Sequence, residues 1–128
     1  SQEDTSCQSL KTGTFNVYDG DEVVGRFYRK DSLQLEDNFD GEKVIMNKVR
    51  ENDCIFYISS AQIRNELDTI TMKVNYHRIN ANKYSFVATP AYLNIDYEYK
   101  GEIVRIDSVV KPDILKLFKN YLVKSNTE

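Results

Sequence analysis

From residue 12 onward, apolar and polar positions alternate with a period of two, the spacing of strands that bury one face. Phe15 and Val17 share a face, and Asp19-Gly20-Asp21 offers a turn in which glycine takes a positive φ at little cost. Val23, Gly25 and Phe27 alternate next, then Leu33 and Leu35, with Phe39 in the same phase. Asp40-Gly41 turns the chain into residues 43–50, and Glu51-Asn52-Asp53 turns it into residues 54–58. Residues 61–66 fit one helical turn as well as a loop. Ile70, Met72, Val74 and Tyr76 then form one apolar face, and Asn80-Ala81-Asn82-Lys83 has the residues of a hairpin loop. Tyr84, Phe86 and Ala88 follow, ended by Pro90. Leu93, Ile95, Tyr97 and Tyr99 alternate in turn, and Lys100-Gly101 is read as a turn into residues 103–110. About eight or nine short strands at this spacing predict a mainly β, antiparallel meander that closes as a barrel or half-barrel.

The period changes at the end. Pro112 suits a first helical position and Asp113 the positive end of the helix dipole. Ile114, Leu117, Phe118 and Tyr121 fall at i, i+3, i+4 and i+7, with Leu115 and Leu122 widening the stripe, which predicts a C-terminal helix over residues 112–124. A helix this short is marginal alone and must dock on the sheet. Residues 1–6 contain no apolar side chain and are read as a tether, leaving residues 7–128 as one domain.

Composition changes this picture little. The 128 residues are 41% hydrophobic and 29% charged, ordinary globular proportions. The formal net charge of −3 argues against nucleic-acid binding, whose affinity comes from clustered Lys and Arg. No Gly-rich phosphate loop occurs, so a nucleotide cofactor is not expected. One histidine, His77, and two cysteines, Cys7 and Cys54, do not supply the three or four closely spaced ligands of a zinc site. His77 is out of phase with Val74 and Tyr76 and is expected to face solvent. Glu36-x-Asn38-x-Asp40-Gly41 imitates a calcium loop, but Asn47 stands where the bidentate Glu belongs and strands flank it, so an acidic turn explains it better. No metal or other cofactor is expected.

Cys7 and Cys54 are either two unrelated buried thiols or one disulfide stapling the N-terminal segment to the sheet; a pair with one member beside a polar tail favours the staple. Such a bond belongs to an oxidising compartment.

Three segments carry a resemblance: Cys7-x3-Lys11-Thr12-Gly13-Thr14-Phe15, Arg29-x-Asp31-Ser32-Leu33-Gln34-Leu35-Glu36 and Asn52-Asp53-Cys54-x-Phe56-Tyr57. Together they resemble a group of small uncharacterised exported proteins, many of them lipoproteins, in which a polar tether leads into a compact β domain. The resemblance implies export, with the signal peptide removed, to a periplasmic, outer-membrane-anchored or secreted location, and it implies Cys7–Cys54 pairing. More loosely, Gly13-Thr14-Phe15 is similar to the Gly-x-Trp signature of lipocalin-type barrels, with Phe in place of Trp, and a helix after the last strand is similar to theirs. That likeness implies a small apolar ligand held inside the barrel.

Three classes of function are weighed. A non-enzymatic binding module would line its interior with Phe15, Phe27, Phe56, Met72, Phe86, Ile95 and Tyr97, although the same residues equally make a solid core. A cell-envelope structural or protein-interaction domain with a filled core would instead use the tyrosines of residues 92–99, since Tyr is favoured at interfaces. An enzyme would have to use carboxylate pairs such as Asp96 and Glu98, which on a strand face are usually solvated. No catalytic residue is expected. The expected partner is a small lipophilic ligand or an envelope protein, with membrane contact only through an upstream lipid anchor.

Overall fold

The computed structural model describes residues 7–37, 43–50, 52, 54–60 and 71–127. Eight antiparallel strands follow one another around a barrel-shaped sheet: β1 (Gly13–Asp19), β2 (Glu22–Lys30), β3 (Leu33–Asp37), β4 (Lys43–Arg50), β5 (Ile55–Ser60), β6 (Thr71–Arg78), β7 (Lys83–Pro90) and β8 (Tyr99–Asp107). Each pairs with the next, and β8 returns to β1 through Val17↔Ile103 and its neighbours, so the sheet closes. The helix α1 (Pro112–Thr127) follows.

The turns have identifiable causes. Gly20 takes φ 62° between β1 and β2, and Asp31 takes φ 55° between β2 and β3, a conformation Asp tolerates. Between β6 and β7 the backbone N–H groups of Asn82 and Lys83 both donate to Asn80 Oδ1 at 3.0 Å. Asn52 does the same before β5, accepting from the N–H groups of Cys54 and Ile55.

Two separate cores form among the described residues. Inside the barrel, Phe15, Phe27, Phe56, Tyr76, Tyr84 and Phe86 are buried with Cys7 and Leu10. On the outer wall, Tyr28, Leu33, Leu35 and Ile45 lie under Val110 and Phe118, with Ile114, Leu115 and Leu117 packed against them. The helix therefore docks outside β2, β3 and β4. This inverts the simple reading of β3: its leucines point outward beneath α1, and its polar positions Gln34 and Glu36 point inward, as their pairing with Arg29 and Phe27 requires.

The chain departs from the expected elements near its end. Residues 91–98 form a loop although Leu93, Ile95 and Tyr97 alternate, because β8 first pairs with β7 at Ala88↔Tyr99. Lys100 and Gly101 lie within β8, not in a turn: a Cβ on Gly101 would stand 2.9 Å from Tyr18 O and 3.0 Å from the Phe86 ring. Residues 108–110 leave the sheet, and Val110 joins the helix cluster. The tether 1–6, the turn at Phe39-Asp40-Gly41, Glu51, Asp53, the ambiguous residues 61–66 and Ile70 lie outside the described residues.

Candidate ligand cavity

One end of the barrel is plugged. A 3-10 turn, Gln8–Leu10, enters there with Leu10 fully buried, and the disulfide Cys7–Cys54 ties it to the approach of β5. Ser9 and Tyr84 are hydrogen-bonded through their hydroxyls, and Lys48 Nζ donates to Lys11 O at 2.6 Å. At the foot of β1, Gly13 takes φ 139°, and a Cβ there would be 2.5 Å from Asp107 O.

Above the plug lies Arg29, a 0% exposed arginine. All three guanidinium nitrogens donate: Nε to Gln34 Oε1 at 2.8 Å, Nη1 to Leu10 O at 3.1 Å and Nη2 to Tyr76 OH at 2.6 Å. The rings of Phe27 and Phe56 each lie 4.6 Å from its centre. A buried charge is tolerated only with such satisfaction, and the aromatic faces add cation–π attraction.

The network continues toward the other end. Gln34 Nε2 donates to Glu36 Oε2 at 2.9 Å, linking the guanidinium to a half-buried carboxyl through one amide. Burial pushes the Glu36 carboxyl above its ordinary value, against the lowering effects of the Gln34 hydrogen bond and the Arg29 charge. Tyr99 is held above the usual tyrosine value by partial burial first, then by Asp19, Tyr97 and Glu36.

Beyond this network the interior is hollow. A cavity of about 390 Å³ opens between the strands. Its walls are Val17 and Ile103 on one side, Met46 and Ile58 on another, and Met72, Val74, Phe86 and Ala88 on a third. Phe27, Arg29, Gln34, Glu36 and Tyr76 border it, and Val24, Tyr97 and Tyr99 stand where it meets solvent.

The expected lining residues are thus divided. Phe27, Met72, Phe86 and Tyr97 border the cavity. Phe15 and Phe56 are buried in the filled part of the interior, and Ile95, 55% exposed, lies in the 91–98 loop away from the cavity wall. The polar members Arg29, Gln34 and Glu36 were not among the expected residues. Arg29 had a signal, being in phase with Gly25 and Phe27; Gln34 and Glu36 had none, because two leucines mark the opposite face of β3 as the buried one.

The remaining candidates lie elsewhere. His77 is exposed on β6. Asp96 and Glu98 are exposed in the 91–98 loop, where Glu98 accepts an ion pair from Lys100 at 3.1 Å. Cys7 and Cys54 are bonded to one another, with Cα atoms 5.2 Å apart. This disulfide points to an oxidising, extracytoplasmic environment. No helix among the described residues is long and apolar enough to cross a membrane. Fold and site together define an antiparallel β-barrel with a plugged base and an internal cavity. Comparison with protein-family models, curated proteins and solved structures returns no match.

Proposed function

We propose that the protein is a small exported, non-enzymatic binding module that holds a lipophilic ligand inside its barrel, in the manner of lipocalin-like barrels. The observation that carries this reading is the cavity of about 390 Å³, walled mainly by aliphatic and aromatic side chains and bordered by a few hydrogen-bonding groups. That combination is the usual chemistry of a small-molecule pocket. Secretion, a periplasmic location or an upstream lipid anchor belongs to the same proposal, and the disulfide supports its common element, an oxidising extracytoplasmic compartment.

Thermal denaturation with a panel of fatty acids, alcohols and other lipophiles tests it. A ligand at a hundred times its Kd should stabilise the fold by about 2.7 kcal/mol. Ala88→Trp, which places an indole in the cavity, should abolish that shift. No stabilisation by any apolar class would defeat the proposal.

A second reading, an envelope-protein interaction domain with no small ligand, has one observation of its own. Tyr92 is 79% exposed, with Leu93 and Ile95 also exposed beside it in the 91–98 loop. Exposed apolar groups of this kind favour protein contacts. Loss of an envelope partner on Tyr92→Ser/Leu93→Ser/Ile95→Ser, with lipophile binding unchanged, would support it.

A further inference from the structure

We infer that the ligand is a lipophilic cation, an amphiphile whose apolar body fills the cavity and whose ammonium group meets the Glu36 carboxylate. The inference rests on the binding-module reading and specifies its ligand. Three charged residues line the cavity, Arg26, Arg29 and Glu36. Arg26 Nε donates to Asn16 Oδ1 at 2.8 Å, and Arg29 and Glu36, of opposite sign, differ in accessibility. The guanidinium is wholly buried, each of its nitrogens already donates a hydrogen bond, and Phe27 and Phe56 flank it. An anionic ligand gains little from a cation so enclosed.

The Glu36 carboxyl is the opposite case. Among the described residues Gln34 is its only hydrogen-bond donor, and that bond goes to Oε2, so Oε1 retains its acceptor capacity in a residue that lines the cavity. A carboxylate offers about four lone-pair sites, and a half-buried one with a single donor is stabilised by any cation that replaces its lost water. Burial already disfavours its charged form by more than the Gln34 hydrogen bond and the Arg29 charge restore.

The surroundings agree with this sign. Phe86, Tyr97 and Tyr99 present ring systems along the same space, and ring faces attract cations and repel anions. Asp19 and Glu36 both help raise the Tyr99 hydroxyl above its ordinary value, so two carboxylates act on the solvent-facing rim. A carboxylate-headed ligand that occupied the position of the ammonium would lie against the Glu36 carboxylate. A neutral one would leave Oε1 without a donor unless it brought a hydroxyl.

Three ligands of equal chain length separate these cases: dodecylamine, dodecanol and dodecanoate, each titrated by calorimetry at neutral pH, below its micelle concentration, against wild type and Glu36→Gln. The amine should bind wild type about tenfold or more tightly than the alcohol or the acid, the scale of one charge-assisted hydrogen bond with cation–π support. Glu36→Gln should bring the amine down to the affinity of the alcohol, leaving the alcohol itself within about threefold. Dodecanoate binding as tightly as the amine, or a preference that survives Glu36→Gln, would overturn the inference while leaving the binding-module reading intact. Failure of all three to bind wild type would overturn both.

Discussion

Arg29→Met removes the charge from the barrel floor while keeping much of the long apolar stem. Three acceptors lose their donor at once: Leu10 O, Gln34 Oε1 and Tyr76 OH. A buried group stripped of its partner costs about 1–3 kcal/mol, giving about 3–9 kcal/mol for the three. The aromatic contacts of the guanidinium add up to about 2 kcal/mol. Against this, methionine needs no desolvation of a charge, a relief of several kcal/mol. The net destabilisation should therefore be about 3 kcal/mol, a large share of the roughly 5–15 kcal/mol available to a domain. In a chain of this length it should lower Tm by about 10–15 °C.

The assay is urea unfolding followed by far-UV dichroism and tyrosine fluorescence, since the chain has no tryptophan. The midpoint should fall with the slope unchanged. Tyr76→Phe alone should cost about 1.5–3 kcal/mol, because it deletes a hydrogen bond to a charged donor. The double variant should be less destabilised than the two singles added together, by about 1 kcal/mol or more. A loss below about 1 kcal/mol for Arg29→Met, or strict additivity with Tyr76→Phe, would show that the buried network does not hold the floor together.

Other positions give sharp expectations. Gly101→Ala should destabilise by about 1–3 kcal/mol and weaken lipophile binding, because its Cβ meets Tyr18 O and drives the Phe86 ring toward the cavity; unchanged binding would refute that coupling. Cys7→Ser/Cys54→Ser, read by the same urea midpoint under oxidising conditions, should lose about 4 kcal/mol for opening a 47-residue loop; a loss under about 1 kcal/mol would mean that the plug stays in place without its staple. For Glu36, a folded-state value above the unfolded one means that the native state holds more protons, so stability falls as pH rises through the interval from about 4.3 upward to the raised value. Arg29 and Tyr99 are the groups that face it, and Arg29 opposes the shift. Glu36→Gln should thus match wild type near pH 4 and melt higher near pH 7.5; a pH-independent difference would contradict the assignment.

Much of the architecture was legible because most strands bury one face only. Phe15 with Val17, Met72 with Val74 and Tyr76, and Tyr84 with Phe86 and Ala88 alternate cleanly, and each set points into the barrel. The helix was legible for the same reason, at its own period, through Ile114, Leu117 and Phe118. Legibility fails where both faces are buried. On β3 the leucines belong to the helix contact, so the pattern directs attention away from Gln34 and Glu36, the residues that give the cavity its polarity. It fails again at residues 93–97, where alternation without a pairing partner yields a loop, and at Gly101, whose glycine answers to the Phe86 ring and not to a turn.

The division of the interior follows from what a small domain can sustain. An enclosed dry void of 390 Å³ would cost about 9 kcal/mol at about 24 cal/mol per Å³, comparable with the whole stability of such a fold. The hollow part is therefore tenable only in contact with water or filled by a ligand, and Val24, Tyr97 and Tyr99, which border it, are exposed. Water against Ile58, Met72, Val74 and Ile103 finds few hydrogen-bond partners, so an apolar body that displaces it gains free energy. The filled part makes the opening possible: Phe15, Phe56, Tyr84, Leu10, the Arg29 network and the disulfide fix the strands at one end without help from the other. A substitution that weakens the floor should consequently weaken ligand binding even when it touches no cavity wall, whereas one that enlarges the hollow part should change which ligands fit before it changes whether the chain folds.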